Sequence, residues 1–84
     1  MEEKIIDCST IRTKEDLHRL FRETLSFPEW YGNNLDALYD CLTDLEDVEI
    51  TIALPEEDGA IFQKILRVFK AADRANESLK LNIL

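Results

Sequence analysis

The sequence predicts a two-layer α/β fold in which helices pack mainly on one face of a three-stranded parallel sheet. Short segments rich in apolar and β-branched residues occur at positions 4–8, 48–54 and 78–84, and the stretches between them have helical periodicity. The resulting order is β-α-α-β-α-β, and strands that are connected through helices favour parallel pairing. A chain of 84 residues has the size of one small domain, so residues 1–84 are predicted to form a single domain.

The first helix is predicted to begin at Thr13, because residues 13–16 resemble a capping box in which Asp16 takes the usual place of glutamate. Its apolar stripe consists of Leu17, Leu20, Phe21, Thr24 and Leu25. The helix should end before Pro28, which disfavours helical backbone at the preceding residue. His18 falls on the outer side of this helix and is expected to be a solvated surface residue.

A turn around Gly32 should lead into the second helix, which Asn33 or Asn34 can cap. Gly32 is expected to serve a backbone conformation with positive φ. The aromatic pair before it is interpreted as one contact residue, Trp30, at the rim of a binding surface, and one residue that is partly packed, Tyr31.

The second half of the chain is predicted to contain two strands and one helix. Pro55 and the acidic residues 56–58 precede that helix and favour its start. Its inner face is expected to consist of Ile61, Phe62, Ile65, Leu66, Phe69 and Ala72. In the last strand, Lys80 and Asn82 should face one side of the sheet and Leu79, Leu81 and Ile83 the other.

The second helix separates apolar from acidic residues. At about 100° per residue, one arc of about 80° contains Leu35, Leu38, Leu42 and Leu45. The opposite arc, also about 80° wide, contains Asn33, Asp36, Asp40, Asp44 and Asp47, and Tyr39 lies between the two arcs. Aspartates at i, i+4 and i+8 repel one another, and residues 28–47 include no lysine or arginine. This pattern favours a surface for a basic partner over a merely solvated face of an acidic protein.

Composition narrows the classes of partner. The formal net charge of −8 argues against direct nucleic-acid binding and against binding to an acidic membrane surface. A basic protein is the natural partner, since opposite charge speeds encounter. The N-terminal residues lack the pattern of a signal peptide, and no apolar stretch reaches membrane-spanning length, so a cytoplasmic location is expected.

The sequence offers little chemistry for catalysis or cofactor binding. It has no glycine-rich phosphate loop and no Cys-x-x-Cys pair, and its single histidine makes a metal site remote. Cys8 and Cys41 are expected to be reduced, mostly buried thiols. Asp36 and Asp40 could in principle act as an acid–base pair or bind a hard cation, but one helix face rarely converges enough for either. The chain is therefore not expected to be an enzyme, and no cofactor or metal is predicted.

Leu17-His18 together with residues 28–43 (Pro-Glu-Trp-Tyr-Gly-Asn-Asn-Leu-Asp-Ala-Leu-Tyr-Asp-Cys-Leu-Thr) resembles the barstar family of intracellular inhibitors of the ribonuclease barnase. A weaker match follows at residues 68–70 and the final strand, and the element order agrees over nearly the whole chain. The resemblance implies an immunity protein that blocks a basic microbial ribonuclease, or the ribonuclease domain of a delivered toxin, with an acidic helix that mimics RNA phosphates. It also implies a monomer when free. It places Trp30, Gly32, Asn34, Asp36, Tyr39 and Asp40 at partner-binding positions. Thr43 and Asp44, on the same helix, are predicted to belong to the partner-binding surface as well.

The sequence departs from the family pattern in three places. Ala71 falls where the family has a contacting glutamate, Asp44 and Leu45 replace a Gly-Trp pair, and the segment 54–59 is shorter, which is expected to remove a small helix. The alternative function is an acidic interaction module of the same fold that binds a different basic protein. A small hydrolase that uses Asp36 and Asp40 ranks last.

Overall fold

The computed structural model describes residues 2–11, 13–29, 31–55 and 59–84, and it has the predicted order of elements. The strands are β1 (Glu2–Asp7), β2 (Val48–Ala53) and β3 (Leu79–Ile83). The helices are α1 (Lys14–Leu25), α2 (Leu35–Thr43) and α3 (Ala60–Ala75). None of the helices in the described part of the chain is both long and apolar enough to cross a membrane.

The three strands form one parallel sheet in the order β1-β2-β3, with Ile52 of β2 opposite Ile6 of β1 and Ile83 of β3. Alternate residues of β2, namely Val48, Ile50 and Ile52, are buried and form the core with the inner faces of the helices. The predicted fold class is therefore confirmed. The physical reason is that each helical connection returns the chain to the same end of the sheet.

Helix α1 begins and ends as the sequence predicts. The Thr13 side chain accepts a hydrogen bond from the backbone N–H of Asp16 at 3.1 Å, which satisfies one of the free donors of the first turn. At the other end Ser26 has a φ of 56°, and the backbone N–H of Phe27 donates to the carbonyl of Arg22 at 3.0 Å. This left-handed cap turns the chain just before Pro28.

His18 does not lie on the surface, so that prediction is wrong. The side chain is completely buried, and its Nδ1 lies 2.6 Å from the hydroxyl oxygen of Tyr31. The histidine is adjacent on the helix to the stripe of Leu17, Phe21 and Leu25, and the turn before α2 folds over it. Tyr31, which is 3% exposed, supplies the polar partner that makes this burial tolerable.

Helix α2 is shorter than the acidic arc suggests. It ends at Thr43, and Asp44 is its C-cap, whereas Asp47 lies in the turn before β2 with a φ of 50°. The side-chain amide of Asn76, at the end of α3, lies at this end of α2 and donates to the carbonyls of Leu42 at 3.1 Å and Leu45 at 2.7 Å. The Leu42 carbonyl also accepts from the backbone N–H of Leu45 at 3.3 Å, so Asn76 adds a second bond there.

Helix α3 is close to its prediction. Phe62, Ile65, Phe69 and Ala72 are buried, while Ile61 and Leu66 are partly buried against the core. The acidic run 56–58 lies outside the described residues, and so does this half of the shortened 54–59 segment. In β3 the predicted alternation weakens along the strand: Leu79 is buried, Leu81 is partly buried and Ile83 is 40% exposed.

Candidate protein-binding surface

The turn before α2 is built around the side chain of Asn34. Its Oδ1 accepts from the backbone N–H of Ala37 at 2.8 Å, which confirms Asn34 as the N-cap. Its Nδ2 donates to the carbonyl of Gly32 at 3.2 Å. One side chain therefore fixes both the helix start and the path of the preceding turn.

Gly32 is required for a different reason from the one predicted. Neither glycine has a positive φ, and the left-handed residue is Asn33, with a φ of 53°. A Cβ atom at position 32 would lie 2.9 Å from Nδ2 of Asn34, closer than non-bonded atoms approach. The missing side chain thus leaves room for the capping amide. Asn33 tolerates the left-handed conformation because a short amide side chain is one of the few that do.

Three carboxylates form the exposed outer face of this segment, referred to below as the acidic ridge: Asp36, Asp40 and Asp44. None of them forms an ion pair with another described residue. The ion pairs in the described part of the chain join Lys4 to Glu2, Arg19 to Asp16 and Lys80 to Glu49, all on other elements.

The acidic ridge is electrostatically unfavourable in the free protein. Asp36 lies in the first turn, where the positive end of the helix dipole stabilises it, but Asp40 and Asp44 lie near the negative end. Their mutual repulsion has no compensating cation on α2. Thr43 does not relieve it, because its hydroxyl donates to the backbone carbonyl of Asp40 at 3.0 Å. The ridge therefore presents carboxylates that an external cation can satisfy.

The inner face of α2 holds the acidic ridge in place. Leu38 and Leu42 are completely buried and Cys41 is 4% exposed, all within the same core as the strands. Burial raises the pKa of the Cys41 thiol, and the nearby carboxylates of Asp44 and Asp40 raise it further. This thiol is therefore a packing residue and not a thiolate nucleophile. Both Cys41 and Cys8 are free and buried, as predicted.

A cluster of rings supports the turn from below. Tyr31 packs against Phe27 with ring centroids 5.0 Å apart and against His18 at 5.7 Å. Burial, and secondarily the neighbouring Cys41, raises the pKa of the Tyr31 hydroxyl. Tyr31 is thus a core residue that positions the turn. Tyr39, in contrast, is 37% exposed beside the acidic ridge and is available for contact.

The predicted contact residues fall into three groups. Gly32, Asn34, Asp36, Tyr39, Asp40 and Asp44 are exposed, and Thr43 is half-buried, on one continuous segment. Trp30, predicted as a contact at the rim, lies outside the described residues. Ala71, at the place of the family's glutamate, is exposed on α3, so no carboxylate extends the surface from that position.

Two contacts that support the site were not predicted from the sequence. Nothing local indicates that Asn76 caps α2, since the two are separated by more than thirty residues. One feature of the sequence could have predicted the burial of His18, namely its position next to the apolar stripe of α1. No cluster of His, Cys, Asp or Glu suited to a metal ion occurs among the described residues.

Comparison with known proteins shows the family of this chain. The family described as Barstar (barnase inhibitor) matches residues 1–83. The chain is also similar to a Bacillus subtilis (strain 168) protein named "Putative ribonuclease inhibitor YrdF", with 44% identity over 86 aligned positions. That alignment covers 95% of this chain and 91% of the relative. The chain therefore belongs to the barstar family.

Proposed function

We propose that this protein is an intracellular inhibitor of a basic ribonuclease and protects the cell that makes it. The turn at 28–34 and α2 would enter the active-site groove of the enzyme and exclude RNA. The observation that carries this proposal is the acidic ridge, three exposed carboxylates on one helix without a cation on that helix or an ion pair among the described residues.

The chemistry of the ridge suits a ribonuclease groove. Such a groove binds RNA phosphates through arginine, lysine and histidine side chains, whose charges must be neutralised when the groove is closed. Carboxylates at successive turns of α2 can take the places of successive phosphates. Asp40 is central, one turn from both Asp36 and Asp44, and is therefore the proposed principal anchor.

Rigidity supports the same proposal. Asn34 caps the start of α2, Asn76 satisfies carbonyls at its end, and the inner face is packed into the core. A ridge fixed in this way loses little conformational freedom when it binds. Inhibition would then occur by occlusion and charge neutralisation, and the inhibitor would itself catalyse nothing. A surface of this kind leaves the free protein monomeric.

The relative named as a ribonuclease inhibitor supports the choice of target class. A secreted ribonuclease and the ribonuclease domain of a delivered toxin have the same basic groove, and both belong to this proposal.

The test is an inhibition assay with purified basic microbial ribonucleases, including enzymes encoded beside this chain. Inhibition with one-to-one stoichiometry would support the proposal. The protein Asp36→Asn/Asp40→Asn is isosteric at both positions and should lose inhibition while keeping its fold. If the parent protein captures a basic protein without nuclease activity and inhibits no ribonuclease, the chain is instead an interaction module of the same fold.

A further inference from the structure

A second polar feature lies away from the outer face of the acidic ridge, in a cleft between the N-terminal turns of the three helices. Its volume is about 290 Å³. Its lining residues are Lys14, His18, Leu35, Ile61, Lys64 and Ile65. Lys14 and Leu35 are the first residues of α1 and α2, and Ile61 is the second residue of α3.

The buried imidazole of His18, one of the lining residues, has one ring nitrogen without a hydrogen-bond partner among the described residues. Nδ1 pairs with the Tyr31 hydroxyl, which has no other hydrogen-bond partner in the described part of the chain. A buried phenol keeps its own proton satisfied only by donating it, so Nδ1 accepts and the proton of the neutral ring is on Nε2. Nε2 is buried and has no partner among the described residues. His18 therefore offers an unused N–H donor.

Two lysines, Lys14 and Lys64, are among the residues that line the cleft. Lys14 and Lys64 form no ion pair with any described residue, although the chain contains 18 acidic residues. Burial lowers the pKa of His18, and the charge of Lys14 lowers it further, so this lysine acts directly on the imidazole. Helix α3 has Gly59 at its N-cap, and this cap residue has no side chain that could accept from the first N–H groups of the helix. The positive ends of three helix dipoles add to the field.

We propose that this cleft binds a small anion through a carboxylate or phosphate group, which accepts a hydrogen bond from Nε2 of His18 and lies between Lys14 and Lys64. The apolar side chains of Leu35, Ile61 and Ile65 would contact the remainder of the molecule. A volume of about 290 Å³ fits a ligand of metabolite size and excludes a folded chain. The lining residues do not belong to the acidic ridge, although Leu35 is the first residue of the helix that carries it.

The test uses the complete protein labelled with ¹⁵N-histidine, which gives the signals of a single imidazole because His18 is the only histidine. Inorganic phosphate and acetate are titrated in separate arms, with sodium chloride at matched ionic strength as the reference. We expect a saturable shift of the Nε2 resonance and a rise in the melting temperature beyond that in sodium chloride. The anion that saturates at the lower concentration identifies the class of ligand.

Lys64→Gln and Lys70→Gln form a matched pair, since both lysines are exposed on α3 and only Lys64 lines the cleft. Lys64→Gln should raise the dissociation constant about tenfold, which is the usual effect of losing a charged hydrogen bond. Lys70→Gln should leave it within about twofold. Equal effects of the two substitutions, or no saturable shift in either arm, would overturn the proposal.

Discussion

Replacement of Asp40 by alanine separates a binding residue from a structural one. Asp40 is exposed, and its hydrogen-bonded atom is the backbone carbonyl that accepts from Thr43, which the substitution keeps. The change removes two repulsive pairs, to Asp36 and to Asp44, at about 0.2–0.5 kcal/mol each. It also removes a negative charge from the last turn of α2, which is worth about 0.3–1 kcal/mol.

The two contributions have the same sign, so the free energy of unfolding should rise by about 0.5–1 kcal/mol once salt screening is allowed for. For a domain of this size the melting temperature should rise by roughly 2–8 °C. Inhibition of the target ribonuclease should weaken at least about 100-fold, because the enzyme's cations would remain buried without a partner. Barnase and barstar are themselves the system in which a loss of binding of this size on removing one buried charge is documented.

The assay combines thermal unfolding with the inhibition constant, measured for the parent protein, Asp40→Ala and a control. Asp47→Asn is the appropriate control, because it removes one exposed charge outside α2, and asparagine tolerates the positive φ that alanine would not. The control should change inhibition by less than about threefold, as expected for a peripheral charge. Unfolding of Asp40→Ala, or inhibition equal to that of the parent, would refute the reasoning.

Four further predictions follow from the same contacts. Asn34→Ala should cost about 0.5–2 kcal/mol in urea unfolding, because it removes the cap of α2, and an unchanged midpoint would contradict this role. The pKa of His18 is lower in the folded protein, so just below pH ~6.5 the unfolded state binds more protons than the folded state. The contribution of His18 to the free energy of unfolding should therefore be fully present above that pH and should decrease as the pH falls towards the pKa of His18 in the folded protein. Between about pH 5 and pH 7, the free energy of unfolding of His18→Gln should therefore depend less on pH than that of the parent protein. An equal dependence on pH in the two proteins would refute the assignment. The association rate with a basic ribonuclease should fall steeply from low to high salt in stopped-flow measurements, since the net charge is −8, and a salt-independent rate would argue against electrostatic capture. Burial raises the pKa of Cys8 to about 11, and both thiols are buried. Neither Cys8 nor Cys41 should therefore react quickly with a thiol reagent in the native state. The protein Cys8→Ala/Cys41→Ala should still bind the ribonuclease.

The local features of this protein are determined by its sequence. Thr13 and Asn34 cap their helices because a short polar side chain can reach a backbone N–H three residues ahead, whatever surrounds it. The order of elements and the parallel sheet follow from hydrophobic periodicity and from the need for helical crossovers. The position of the acidic residues on α2 is likewise a matter of helical geometry alone.

The tertiary structure decided the features that depend on distant residues. The buried His18 pairs with the hydroxyl of Tyr31, which lies in the turn before α2. The helical periodicity of α1 contains no information about that hydroxyl. The acidic ridge ends at Asp44, the C-cap of α2, and the side chain of Asn76 from the end of α3 donates to the carbonyls of Leu42 and Leu45 at that point. The role of Gly32 was also hidden, since it depends on where the Asn34 amide lies and not on the φ of the glycine. For His18 and for the end of α2, a polar atom is satisfied by a residue that is distant in the sequence, and only the folded chain brings the two partners together.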